Sequence, residues 1–205
     1  VHDGRTLAIL AQCKEPGELI AKVKEHDGRL DGDDSFHVYL GVSGSAYAQV
    51  AVNALGYTLD LAAKTGGPRL SRPRADWESE AKVSVQKGQG FWTARMDIPL
   101  AKVLNILGES ETQSELRVLF ARVRPGRNGE LSETSALPTI PASTFTGSIR
   151  YRRLRLSSSA PRDLPGIAPA PVAPGLQTSV WSVEERKARN ATNMVQAHLH
   201  ARAEK

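Results

Sequence analysis

The segment FWTARMDI, from Phe91 to Ile98, alternates strictly: Trp92, Ala94, Met96 and Ile98 fall on one side, Thr93, Arg95 and Asp97 on the other. Side chains alternate across a β-strand, so this spacing turns one face to an apolar core and the other to water. The same period of two recurs upstream in TLAILAQC (Thr6 to Cys13), SFHVYLGV (Ser35 to Val42), YAQVAVNA (Tyr47 to Ala54) and AKVSVQ (Ala81 to Gln86). Downstream it recurs in ELRVLFARV (Glu115 to Val123) and SIRYRRLRL (Ser148 to Leu156). Clusters of Gly, Pro, Asn and Asp separate these runs. Before residue 157 a helical signal is confined to GELIAKVKE, after Pro16, and LAKVLNIL, after Pro99. Seven strands at short spacing predict an all-β fold over residues 1–156, an antiparallel β-sandwich of jelly-roll-like form. In the last strand, a bulge near Arg152 and Arg153 would return Leu154 and Leu156 to the core side.

Beyond Ser157 the pattern changes. SSSAPRDLPGIAPAPVAPG holds five of the twelve prolines and no strand period, so residues 157–177 read as a Pro-rich linker or strap. Residues 178–205 read as a terminal α-helix. Ser182 and Glu185 stand at capping-box spacing, and Ala188, Ala191, Val195 and Leu199 lie near one face. Such a narrow stripe of small residues makes a helix marginal on its own in water. It is expected to dock on its own domain or on a protein partner.

A chain of 205 residues with 40% hydrophobic content can bury one good core. Its 27 Lys and Arg are interleaved with 22 Asp and Glu, so the net charge of +5 is spread rather than collected on one element. That distribution argues against a nucleic-acid partner. The single cysteine, Cys13, allows neither an intrachain disulfide nor a cysteine-based zinc site. No run approaches the ~18 apolar residues that a membrane span needs. The sequence begins at Val1 without a methionine or a signal peptide, as a processed product or a piece of something longer would. No nucleophile elbow, phosphate loop or zinc-binding His pair occurs, so a non-catalytic role is expected.

The order of DGDDSFHVYL, AQVAVNALGYTLD, FWTARMDIPL, LRVLFARVRP and FTGSIRYRRLRL resembles the carbohydrate-binding module family 9 domains over roughly residues 6–156. Asp34, Gln49, Asn53, Gly56, Trp92, Ile98, Pro99, Phe145 and Gly147 fill the places that the family pattern marks. The resemblance implies a β-sandwich that lacks the family's first strand and belongs to a larger extracytoplasmic protein, such as one bearing a glycoside hydrolase. It also implies a glycan or polysaccharide as ligand. Sugar-binding members clamp a ring between two tryptophans and orient it with an acidic residue and an arginine; Leu30, Leu137, His37 and Ala51 stand at those positions here. A leucine offers apolar area but no aromatic face. Two roles are therefore expected: a glycan-binding module, or a structural and assembly module that has lost the clamp and docks through residues 157–205.

Candidate site residues follow from both sources. His37, Gln49 and Asn53 lie on the strands that carry the resemblance. Trp77 follows a loop rich in Gly, Pro and Arg; at a rim beside Arg72 and Arg74 it would form a stacking platform for a sugar, and inside it would plug the end of the sandwich. Asp27, Asp31, Asp33 and Asp34 could supply oxygens to Ca²⁺, the one cofactor suggested, with Asp31, Asp33 and Asp34 as the nearest set, although the EF-hand spacing is absent. Alternatively they shape the turn that starts the strand by accepting backbone N–H groups. Trp92 and Met96, on the core face, are read as packing residues.

Overall fold

A computed structural model of the chain describes residues 2–42, 46–63, 76–141, 145 and 150–156. Among these residues the chain forms β1 (Thr6–Lys14), β2 (Ser35–Gly41), β3 (Tyr47–Asn53), β4 (Thr58–Ala63), β5 (Lys82–Gly88) and β6 (Phe91–Pro99). The helix α1 (Leu100–Leu107) follows, then β7 (Glu115–Arg124), β8 (Glu133–Leu137) and β9 (Arg152–Arg155). Three strands make one antiparallel sheet in the order β1-β6-β5. The other six make a second sheet in the order β4-β3-β2-β7-β8, with β9 also on β7. Here β8 pairs with Phe120 to Arg124 and β9 with Glu115 to Val118, so the two share one edge end to end. The linker and helix expected over residues 157–205 lie outside the described residues.

The alternation read from Phe91 to Ile98 is the burial pattern of β6. Trp92, Ala94, Met96 and Ile98 are buried, facing the second sheet. Across the ladder they pair with Cys13, Ala11, Ile9 and Leu7 of β1. The opposing layer is Val38 and Leu40 of β2, Ala48, Val50 and Val52 of β3, and Leu116 and Val118 of β7. Phe36 stacks on Phe120 at 6.1 Å in the same space. The helix α1 closes one end with Leu100, Val103, Leu104 and Ile106. Gly108, at φ 78°, ends it in the left-handed conformation that a residue without Cβ adopts freely.

The larger sheet is covered on its other face too. Tyr39, Tyr47, Leu119, Ala121, Phe145 and Tyr151 form one cluster there, and Leu30, Ala51 and Leu59 another. Every residue of β3 is consequently buried, as in strands enclosed by two layers.

The second expected helix, residues 17–25, is not one. The N–H groups of Ile20, Lys22 and Val23 donate to the carboxylates of Asp34 and Asp33, and Asp34 N–H donates to Ile20 C=O. These long-range bonds take the donors that a helix would have used internally, and the segment lies irregularly along the loop before β2. The bulge expected at Arg152 and Arg153 is also absent: the register of β9 with β7 runs unbroken from Arg152 to Arg155. Tyr151, just before β9, belongs to the outer cluster. Among the described residues no helix is long and apolar enough to cross a membrane.

Candidate functional site

The acidic turn before β2 is built from committed carboxylates. Asp33 accepts N–H groups from Lys22 (2.9 Å) and Val23 (3.1 Å) and the Asn53 side-chain amide (2.9 Å). Asn53 also donates to Val23 C=O, and its own oxygen accepts Leu55 and Tyr57 N–H. Asn53 thus shapes the β3–β4 hairpin, with Gly56 at φ 93°, and pins the 20–23 segment. Asp31 is exposed and paired with Arg29. Asp31, Asp33 and Asp34 do not bring their oxygens to one point; among the described residues the His, Cys, Asp and Glu side chains that converge are His26, Asp27 and Glu78. The geometry at Asp33 and Asp34 is that of the turn-forming alternative.

Asp34 is held by a second device, unread in the sequence. Its carboxylate accepts Ile20 N–H at 2.8 Å and pairs with Arg127. Arg127 lies 3.3 Å from Glu15, which also meets Arg124 at 2.9 Å and Arg122 at 3.3 Å. The Arg127 Nε donates to Glu18 C=O and its Nη1 to Pro125 C=O. Burial pushes the Glu15 carboxyl up, but the Arg124 and Gly17 hydrogen bonds and the neighbouring guanidinium charges bring it below its ordinary value. For Asp34 burial prevails over the Ile20 bond and Arg127, and its carboxyl is raised. The clasp joins the segment after β1 to the loop after β7.

On the outward face of the larger sheet, His37 and Gln49 come together. The Gln49 amide bonds to His37 Nδ1 at 3.0 Å, and His37 Nε2 lies 2.8 Å from Ser35 Oγ, whose hydroxyl donates to Leu30 C=O. With the tautomer assigned from this network, the Gln49 N–H donates to Nδ1 and the Nε2–H donates to Ser35. Each donor then has an acceptor, and the imidazole is neutral. Burial pushes it down to about 4 from 6.5, against the charge of Asp31. Tyr39 stacks on His37 at 6.3 Å and 13°, and meets Tyr47, Phe145 and Tyr151 beyond it. Tyr151 donates its hydroxyl to Phe145 C=O.

This arrangement predicts a pH dependence. Unfolded, His37 takes up a proton near 6.5; folded, only near 4. Between those values the unfolded state binds the extra proton, so stability falls as the pH drops through that window, by up to roughly 3 kcal/mol. Urea unfolding of the wild type and His37→Gln at pH 7 and pH 4.5 should show a smaller pH effect in the variant. Equal pH effects in the two proteins would contradict the assignment.

The other expected residues fare differently. Trp77 is 8% exposed and packs in the core between the sheets, so it plugs the sandwich and offers no ring to solvent. Arg72 and Arg74 lie outside the described residues. Leu30 is fully buried against Ala51 and Leu59. His37 pairs across the ladder with Ala51 on one side and Ala121 on the other. Three of the four clamp positions thus meet on one face, while Leu137 stands at the end of β8, 59% exposed. The tyrosines of this face gave no separate signal in the sequence, because their strands read as simple alternation.

No family model matches the sequence. No curated protein matches it. Solved structures do resemble the fold. A candidate carbohydrate-binding protein from Bacteroides uniformis superposes with a TM-score of 0.56 at 14% identity, over 74% of this chain and 73% of that one. A carbohydrate binding module family 9 from Caldicellulosiruptor kristjanssonii in complex with cellotriose gives a TM-score of 0.49 at 12% identity, over 81% of this chain and 76% of the other. Its complex with glucose gives 0.49 at 10% identity, over 79% and 76%. The Bacteroides likeness shows a shared β-sandwich fold, of the kind expected from the sequence.

Proposed function

We propose that the chain is a non-catalytic module that binds a carbohydrate on the outward face of its larger sheet. The observation that carries this reading is the composition of that face. Tyr39, His37, Gln49 and Tyr47 gather on the side turned away from the core between the sheets, each less than a tenth exposed beneath the layer of Phe145 and Tyr151, and the charge of the exposed Asp31 reaches His37 and Tyr39. Aromatic rings meet the C–H surface of a sugar, and fixed amide, imidazole and charged groups orient its hydroxyls. The fold shared with a candidate carbohydrate-binding protein supports the same conclusion. The module would work outside the cytoplasm as part of a larger protein.

Calorimetric titration with soluble gluco-, xylo- and manno-oligosaccharides tests it. Binding is expected in the range from about 10 μM to 1 mM, and Tyr39→Ala should weaken it at least tenfold. No heat from any of these sugars at millimolar concentration would remove the proposal.

One observation favours a second reading, a structural or assembly module. Leu30, Ala51 and Leu59 pack together where a clamp would open, and the His37 network is closed on itself. On this reading sugars do not bind, and deletion of residues 157–205 abolishes association with a protein partner.

A further inference from the structure

Where the loop before β2 meets the start of β4 and the segment before β5, three metal-ligating side chains converge away from the His37 face. His26 Nε2 lies 3.2 Å and 3.3 Å from the two Glu78 oxygens and 3.5 Å from Asp27 Oδ1. All three side chains are partly buried, and their donor atoms lie within 4.8 Å of one another. On the far side of the ring, Nδ1 is 2.7 Å from Thr58 Oγ1, which fixes the imidazole with Nε2 turned to the carboxylates. A partner of this kind on the second nitrogen is the usual support of a metal-bound histidine.

The spacing selects among cations. Four ligands at 2.0–2.1 Å from a tetrahedral ion stand about 3.3 Å apart, close to the separations around His26 Nε2. A hard cation such as Ca²⁺ takes six to eight oxygens and no imidazole, whereas one nitrogen with two carboxylates suits zinc and its neighbours. A second observation comes from Asp60. Its backbone N–H donates to Asp27 Oδ1 at 3.0 Å, and its Oδ2 accepts the Ser79 N–H and hydroxyl. Its Oδ1 is buried with no hydrogen-bond partner among the described residues.

We propose that His26, Asp27 and Glu78 form a binding site for a divalent transition-metal ion of the zinc class, with Asp60 as a supporting carboxylate beside it. The ion would tie the loop before β2 to the 76–79 segment, as a cross-link between parts of the chain about fifty residues apart.

The full chain, stripped with a chelator and titrated with Zn²⁺ alone, should bind one equivalent at this site with a micromolar or tighter dissociation constant. Excess Zn²⁺ should raise the thermal midpoint by several degrees, since a ligand that binds only the native state stabilises it. Co²⁺ in its place should show the visible absorption of tetrahedral coordination. His26→Gln and Glu78→Gln should each weaken binding at least tenfold; using both keeps the test decisive should one variant fail to fold. His198→Gln/His200→Gln removes the other closely spaced histidines of the sequence and should leave the bound equivalent in place. Absence of stoichiometric binding, or binding lost with His198 and His200 but kept in His26→Gln, would overturn the proposal and leave His26 as an ion-pair partner of the two carboxylates.

Discussion

Replacing Arg127 with methionine is expected to cost about 3–5 kcal/mol of folding stability, the range seen when one partner of a buried ion pair is removed. The side chain of Arg127 is 10% exposed, and those of Asp34 and Glu15 are fully enclosed. Glu15 keeps Arg122 and Arg124, but among the described residues the one cation left to Asp34 is Arg122, at 3.9 Å from Oδ1. That oxygen already lacks a hydrogen bond among the described residues. The variant also frees the carbonyls of Glu18 and Pro125, so the segment after β1 loses its tie to the loop after β7. In the double variant Arg127→Met/Asp34→Asn the orphaned charge is gone while Ile20 N–H keeps an acceptor. Part of the loss should therefore return. Urea midpoints of the three proteins measure this directly. A loss under about 1 kcal/mol in the single variant, typical of exposed pairs, would show that the clasp is not a buried one.

Trp92→Ala should cost a similar amount, about 3–5 kcal/mol, by a different route. Trp92 is 0% exposed and lies near the start of β6, the middle strand of the three-stranded sheet, between Cys13 and Lys87 in the register. Alanine there leaves a cavity that the flanking strands, fixed by two ladders, cannot close. Trp92→Phe should lose markedly less, because the indole Nε1 has no hydrogen-bond partner among the described residues and its removal leaves no acceptor stranded. Denaturant unfolding separates the two variants. Equal losses would mean that the indole N–H, rather than ring volume, holds this part of the core.

Much of the fold was legible because β1 and β6 obey simple alternation over nine residues each. Two strands were missed for physical reasons. TLDLAA forms β4 with Asp60 buried in its middle, where Ser79 hydrogen-bonds one of its two oxygens, so its pattern reads as polar interruption. ETSAL forms β8, largely exposed, and its pairing is dictated by β7 rather than by any apolar face of its own. The helical period of residues 17–25 is real but is overridden by Asp33 and Asp34, whose hydrogen bonds depend on the tertiary fold.

The candidate site was legible only in part. His37 and Gln49 were reached through a family resemblance, and the sheet does bring them together. Trp77 was drawn to the surface by its Arg-rich neighbours in sequence, whereas its large apolar area decides for the interior. Arg127 gave no signal at all, since its partners Asp34 and Glu15 lie about a hundred residues away. The meeting of His26 with Glu78 was equally invisible, because a loop-to-loop contact carries no period.

The end-to-end placement of β8 and β9 along β7 has a consequence for solubility. A continuous free border of a sheet can template the addition of foreign chains, the first step of aggregation. Here that border is broken into pieces of five and four residues, and arginines and glutamate line it. An invading peptide meets an interruption before it can zip along the length of the sheet, so this flank of the molecule resists runaway association.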